Sequence, residues 1–336
     1  MAYEPHYEIS PRLLALVEAV AALRERIQGA AVELSRITAL QKDARSRNVH
    51  ASTAIEGNPL TLEEVRALGE GRDAALPNAR TQREALNCFA GLRYVEQHAG
   101  GTTVILHDDL FALHRILAAG VMDQGEAGRY RMIQVQVGGY LPPAPSDVFG
   151  LMSELLDWWN RDAGDLSPVL SSAVLHYRFE AIHPFADGNG RAGRALALWE
   201  LYRRGFDTHR ILSVDEFYWE DRPSYYAALQ AVREQGDDLT SWLEYCAEGL
   251  RQTLENVWLR IQALHVDTSQ KLVLRPRQER LLQLLRDQGS MAPAEIWASL
   301  GVSRQGAMDL LHPLLEAGLV EKIGTKKTGR YVLRRP

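Results

Sequence analysis

The sequence predicts a mainly α-helical protein: a helical body carrying one small β-hairpin, then a tail of three helices and a second hairpin. Three observations predict it. Apolar residues recur at three- and four-residue spacing through most of the first 265 residues. Strict alternation, the mark of a strand, appears once there, at Ile133, Val135 and Val137 before Gly138-Gly139. The charge then changes sign. Residues 275–336 hold 11 Lys/Arg and 6 Asp/Glu, a net +5, whereas the preceding 274 residues hold 27 and 37, a net −10. A sign change of this kind points to a different partner for the tail.

The elements follow in order. Leu13, Leu14, Val17, Val20, Leu23 and Ile27 give residues 10–45 an amphipathic helical pattern. Glu56-Gly57-Asn58-Pro59 breaks it, and Thr61 with Glu64 forms a capping box that opens the next helix. Residues 80–98 and 107–119 are helical again. The stretch 128–142 reads as a strand that turns back at Gly138-Gly139 and ends at the prolines 142, 143 and 145. Residues 147–160 return to helix. Ser167 caps the next one, with Pro168 at its first position. That helix stops at His183-Pro184, because the residue before proline is pushed out of helical geometry. Further helices are expected from about Gly190, over 222–234 and over 238–264. The tail reads as helices 277–288, 293–299 and 304–317, with Ser303 as an N-cap, and a hairpin over 318–333.

Composition sets outer bounds. At 336 residues the chain is long enough for two or three domains. Three regions are expected: 1–100, 101–265 and 275–336. The hydrophobic share of 46% and charged share of 24% are those of a soluble globular protein, and the net charge of −5 does not announce a nucleic-acid binder. Cys88 and Cys246 stand too far apart for a disulfide framework or a metal motif. No stretch approaches the roughly 18 apolar residues of a membrane span. MAYEPHYEIS has no apolar run, so no signal peptide is expected. A cytoplasmic protein follows.

The chemistry gathers in one run: His183-Pro184-Phe185-Ala186-Asp187-Gly188-Asn189-Gly190-Arg191-Ala192-Gly193-Arg194. Gly188 and Gly190 let backbone approach a ligand closely. Their amides precede a helix start, where unpaired N–H groups and the dipole favour an anion. Arg191 and Arg194 lie three apart on that helix, and an arginine fork suits phosphate. Asp187 is a hard oxygen ligand suited to Mg²⁺ shared with phosphates. His183 is placed to take a proton from an incoming hydroxyl. Together they suggest transfer of a phosphate-containing group to an alcohol.

This run matches the pattern H-x-F-x-[D/E]-G-N-G-R-x-x-R at every specified position, and so resembles the Fic family over roughly residues 100–235. The resemblance implies a helical Fic fold and transfer of AMP from ATP to Tyr, Ser or Thr hydroxyls of proteins, the chain itself included. It implies His183 as general base, Phe185 as the anchor of the loop, and Asp187 as the Mg²⁺ ligand. Pro184, Ala186, Gly188, Asn189, Gly190 and Arg191 complete the nucleotide-binding loop, and Arg194 holds the γ-phosphate. Gly188 fits AMP transfer, because phosphorylating relatives carry lysine there. The hairpin at 130–141 resembles the family's flap, which holds the target segment by strand pairing. Tyr225 and Tyr226 are candidates for the adenine pocket, with Tyr225 the nearer choice. The loop reads phosphates rather than the base, so UTP and GTP stay open as donors.

A second run, Ser52-Thr53-Ala54-Ile55-Glu56-Gly57, matches the family's inhibitory pattern [S/T]-x-x-x-E-[G/N]. By that resemblance Glu56 pairs with Arg194 in place of the γ-phosphate and spoils the geometry for attack. In some relatives the same glutamate orients a water that removes AMP. The residues leave that reaction open. The tail resembles a winged helix, with Arg304 and Gln305 opening a recognition helix and Lys326, Lys327 and Arg330 on the wing. Such cations suit phosphate contacts with duplex DNA. Pro313 inside the recognition helix departs from the usual pattern. The alternative reading is therefore a DNA-binding regulator that uses its Fic domain as a nucleotide sensor. A homodimer is expected by analogy with helical relatives.

Overall fold

Gly29 divides the helical stretch expected over 10–45 in two, glycine being the poorest helix former after proline. α1 spans Pro11–Gln28 and α2 spans Leu34–Ile55. The computed structural model describes residues 3–30, 34–72, 78–100, 104–207, 209–264, 276–316, 318–324 and 329–334. The helices that follow are α3 (Leu62–Gly69), α4 (Ala79–His98), α5 (His107–Leu117), α6 (Pro145–Arg161), α7 (Pro168–Ile182) and α8 (Asn189–Arg203). Next come α9 (Val214–Glu220), α10 (Arg222–Glu234), α11 (Thr240–Leu264), α12 (Pro276–Gln288), α13 (Pro293–Leu300) and α14 (Arg304–Glu316). Two strands complete the set, β1 (Val320–Ile323) and β2 (Arg330–Leu333). The architecture is mainly helical, as expected. Among the described residues no helix is long and apolar enough to cross a membrane.

The chain divides into two compact units, residues 1–27 with 40–259, and residues 28–39 with 260–336. In the first, α7 is apolar and buried on every side, which places it in the middle of the helical pack. It packs along α8, and α4, α5 and α6 close around the pair. The capping box at Thr61 forms as expected, with Thr61 N–H donating to Glu64 Oε2 at 2.7 Å. Ser167 takes the N-cap position of α7, but its side chain makes no capping hydrogen bond. Cys88 and Cys246 are buried free thiols.

The strand expected over 128–142 is not there. One bridge, Val137 with Tyr140, closes the Gly138-Gly139 turn. The returning arm contains Pro142 and Pro143, which have no N–H to give a ladder. Its carbonyls are taken by side chains of the outgoing arm: Gln134 Nε2 donates to Pro142 O at 2.9 Å, and Arg131 Nη2 donates to Pro143 O at 2.5 Å.

In the second unit α12, α13 and α14 pack together, and β1 pairs antiparallel with β2 from Val320↔Leu333 to Ile323↔Arg330. Ser303 caps α14 through Gly306 N–H at 3.1 Å. Pro313 lies within α14, toward its end. Lys326 and Lys327 lie outside the described residues. Arg330 is not presented alone on the wing: Nη2 donates to Glu295 Oε2 at 2.8 Å, and the guanidinium also bonds Ser290.

Candidate active site

The turn between α7 and α8 carries the twelve-residue run. Pro184 forbids α7 to continue, and His183 leaves the helix in the left-handed conformation, φ 51 and ψ 59. A non-glycine residue held there costs about 1 kcal/mol or more. The turn is held from outside. Arg131 N–H donates to Pro184 O at 2.9 Å, and Arg131 Nε donates to His183 O at 2.9 Å. Arg131 is 3% exposed. A buried arginine serving main-chain carbonyls looks like any other arginine in the sequence, so this clamp was not foreseen.

Inside the turn the motif residues divide into framework and ligand-facing groups. Phe185 is buried, its ring stacked on His114 at 3.7 Å. Ala186 sits against Gly125, where any β-carbon on Gly125 would collide with it. The Asn189 side chain is spent on the loop itself: Oδ1 accepts from Phe185 N–H at 2.8 Å and Nδ2 donates to Phe185 O at 2.9 Å. Asp187 Oδ1 accepts from Gly188 N–H at 2.5 Å. Gly188 forms the N-cap at φ 77, open to glycine at little cost. Gly190 lies directly beneath Glu56, whose Oε1 would collide with any β-carbon there.

The two arginines of the run have different surroundings. Arg191 is buried, and its Nε and Nη1 find no hydrogen-bond partner among the described residues. Arg194, also buried, is engaged through Nε and Nη2. Nη2 donates to Glu56 Oε1 at 2.9 Å and to Ser52 O at 2.8 Å, while Nε donates to Ser52 Oγ at 3.0 Å. Asp215 Oδ2 stands 3.6 Å from Nε. Ser52 O belongs to the last turn of α2, where carbonyls lack helical partners and the dipole favours a cation. Burial lowers the Arg194 guanidinium, but Glu56, Tyr225 and Asp215 outweigh it and hold the group above its ordinary range. Burial raises the Asp215 carboxyl, and Arg194 only partly opposes this.

Glu180, one turn before His183, was also missed by the sequence reading. Its Oε2 lies 3.7 Å from His183 Nδ1, close enough for attraction but long for a hydrogen bond. Burial pushes the carboxyl up, yet His183, His176 and Arg194 bring it below the ordinary carboxylate range, so it stays ionised under the imidazole. An acidic residue three before the histidine was the available signal.

An open cavity of about 560 Å³ joins these groups. Glu56, His183, Gly190 and Arg194 form one side, Val137 to Gly139 another, and Tyr225, Tyr226, Leu229 and Arg233 on α10 the third. Its size is that of a nucleotide-scale ligand site. Tyr225 is the buried wall, 1% exposed, with its hydroxyl 3.1 Å from His176 Nε2. Tyr226, 40% exposed, presents the accessible ring.

The profile of the Fic/DOC family matches residues 104–201, the span that holds α5 through most of α8 and the whole run. Residues 104–201 are a Fic/DOC domain. Protein adenylyltransferase Fic of Drosophila willistoni is 32% identical over 249 residues, covering 74% of this chain and 48% of that protein. The Culex quinquefasciatus protein of the same name is 31% identical, covering 67% of this chain and 44% of its own length. The chain thus spans about half the length of the curated relatives it matches. Among solved structures, a Fic family protein from Desulfovibrio desulfuricans aligns over 99% of both chains with a TM-score of 0.68 and 29% identity. Fic-1 from C. elegans aligns over 76% of this chain and 74% of its own, with a TM-score of 0.64 and 26% identity.

Proposed function

We propose that this Fic protein transfers AMP from ATP to a Tyr, Ser or Thr hydroxyl of a protein, itself included, and that Glu56 restrains the reaction. The observation that carries this reading is that His183, Gly190, Arg194 and Glu56 line a single cavity. His183 takes the proton from the target hydroxyl as its oxygen attacks the α-phosphorus. The bond from that phosphorus to the bridging oxygen breaks, and pyrophosphate leaves as an anion. The helix N-terminus of α8 and the unpartnered side-chain nitrogens of Arg191 receive the phosphate charge. Adenine lies against Tyr226, with Tyr225 behind it.

Asp187 offers one hard carboxylate, and no group of three His, Cys, Asp or Glu suited to a metal occurs among the described residues. That donor set fits Mg²⁺, which takes one or two carboxylates and fills its shell with phosphate oxygens and water. When bound on Asp187, Mg²⁺ offsets charge on the phosphates. The target segment docks along residues 130–141. Met132 is 89% exposed, and Ile133 and Leu141 are exposed beside it, an apolar edge for a partner strand.

Glu56 occupies the Arg194 donor that the γ-phosphate needs. ATP enters with its terminal phosphate displaced and its α-phosphorus off the line of attack. The order of three helices and a hairpin supports a winged-helix reading of residues 275–336. The decisive labelling uses the full chain carrying Glu56→Gly. α-Labelled ATP is expected to mark protein, and γ-labelled ATP to leave it unmarked. Label from the γ-position would mean phosphoryl transfer, and label from neither would remove the reading.

A further inference from the structure

We propose that His114 is a positioning residue that ties the root of the flap segment to the catalytic loop, an inference that rests on the AMP-transfer reading above. His114 stands on α5, outside both sequence motifs, and is 0% exposed. Its Nδ1 accepts a hydrogen bond from the Gly128 N–H at 2.9 Å. Its Nε2 lies 2.9 Å from the main-chain oxygen of Asp187. An amide can only donate and a carbonyl can only accept, so one neutral tautomer, protonated on Nε2, satisfies both contacts. The ring lies flat on Phe185, with planes 1° apart.

The two contacts join segments that must act together. Gly128 opens the stretch whose Arg131 reaches back to His183 and Pro184, and whose far turn at Gly138-Gly139 lines the cavity. Asp187 opens the anion-binding turn into α8. A β-carbon at Gly188 would come within 3.4 Å of His114 Nε2 and 3.5 Å of Arg191 Nη2, so the imidazole edge sits at the mouth of that turn. Arg131 fixes the flap to the His183 end of the loop, and His114 fixes it to the phosphate end. The docked hydroxyl and the phosphates are thereby held in one register. A phenyl ring would keep the stack on Phe185. It would leave a buried N–H and a buried carbonyl unpaired.

The test adds His114→Phe, His114→Asn and His114→Gln to the full chain carrying Glu56→Gly. Asn keeps an acceptor near Nδ1 for Gly128, and Gln keeps a donor near Nε2 for Asp187. Amide exchange at Gly128 and the kcat and KM for α-labelled ATP in self-modification are both measured. Phe is expected to speed Gly128 exchange, to raise the KM for ATP and to lower kcat roughly ten- to hundredfold, the scale of an ångström of misplacement. Asn is expected to restore Gly128 protection without restoring kcat, and Gln to restore the KM for ATP while Gly128 stays open. If all three variants match their parent, or if Asn and Gln fail alike in both readouts, the tie is refuted. A parent that transfers no AMP sinks the AMP-transfer reading, and the exchange pattern still decides the tie.

Discussion

Arg191 and Arg194 lie one helical turn apart and equally buried, yet their surroundings are opposite. Arg194 is held by Ser52 and Glu56, with Asp215 and Tyr225 close by. Two nitrogens of Arg191 have no partner among the described residues. A buried cation left without hydrogen-bond partners is costly, and such a cost persists where a ligand offsets it. On the proposed reading the difference locates the restraint: Glu56 would take the far end of the phosphate track and leave the near end open, so that binding and catalysis would be separable.

The largest expected effect breaks the comparison at the base. In the Glu56→Gly chain, His183→Ala is expected to lower AMP transfer by about 10²–10⁴-fold, the usual share of a general base, with ATP affinity little changed in a binding titration. Next, Arg191→Met is expected to weaken ATP binding about tenfold or more in either background, through loss of charge-assisted hydrogen bonds. Glu56→Gly alone should leave that Arg191 effect the same size. If it does not, the two ends are coupled and the separation fails. Glu180→Gln is expected to lower kcat about tenfold with little change in KM, since it keeps the shape under His183 and removes the charge that orients it.

The smallest effect concerns stability. Burial holds His176 down at about 4, against an ordinary value near 6.5. The unfolded chain therefore binds the proton that the folded chain refuses, and stability falls as pH drops from about 6.5 toward 4. Up to about 3 kcal/mol is at stake from this group. His176→Phe should flatten that part of a stability-versus-pH curve, and an unchanged curve would assign the acid sensitivity elsewhere.

The sequence disclosed local chemistry well and long-range contacts poorly. The loop 183–194 was legible because its glycines, arginines and proline act within one turn. The Glu56 break was legible for the same reason, and its meeting with Arg194, 138 positions away, followed from the resemblance and is met in the structure. The strand over 128–142 was misread because alternation at Ile133, Val135 and Val137 measures side-chain period, while a ladder also needs N–H donors that Pro142 and Pro143 lack, although the turn at Gly138-Gly139 forms. Arg131 and His114 escaped because their work is done on main-chain atoms and a buried ring reached only after folding, whereas Glu180, three before His183, left a local signal. Leu14, assigned to the stripe of α1, proves half exposed, since the six apolar residues of that stripe, from Leu13 to Ile27, cover more than one face.

The most direct test of the central claim compares wild type, Glu56→Gly and Glu56→Gly/His183→Ala for incorporation of α-labelled ATP with Mg²⁺. Freeing Arg194 while the base remains predicts strong labelling of the single variant, weak labelling of wild type and none of the double variant. Equal labelling of wild type and Glu56→Gly would contradict the restraint. Labelling that survives loss of His183 would contradict the mechanism.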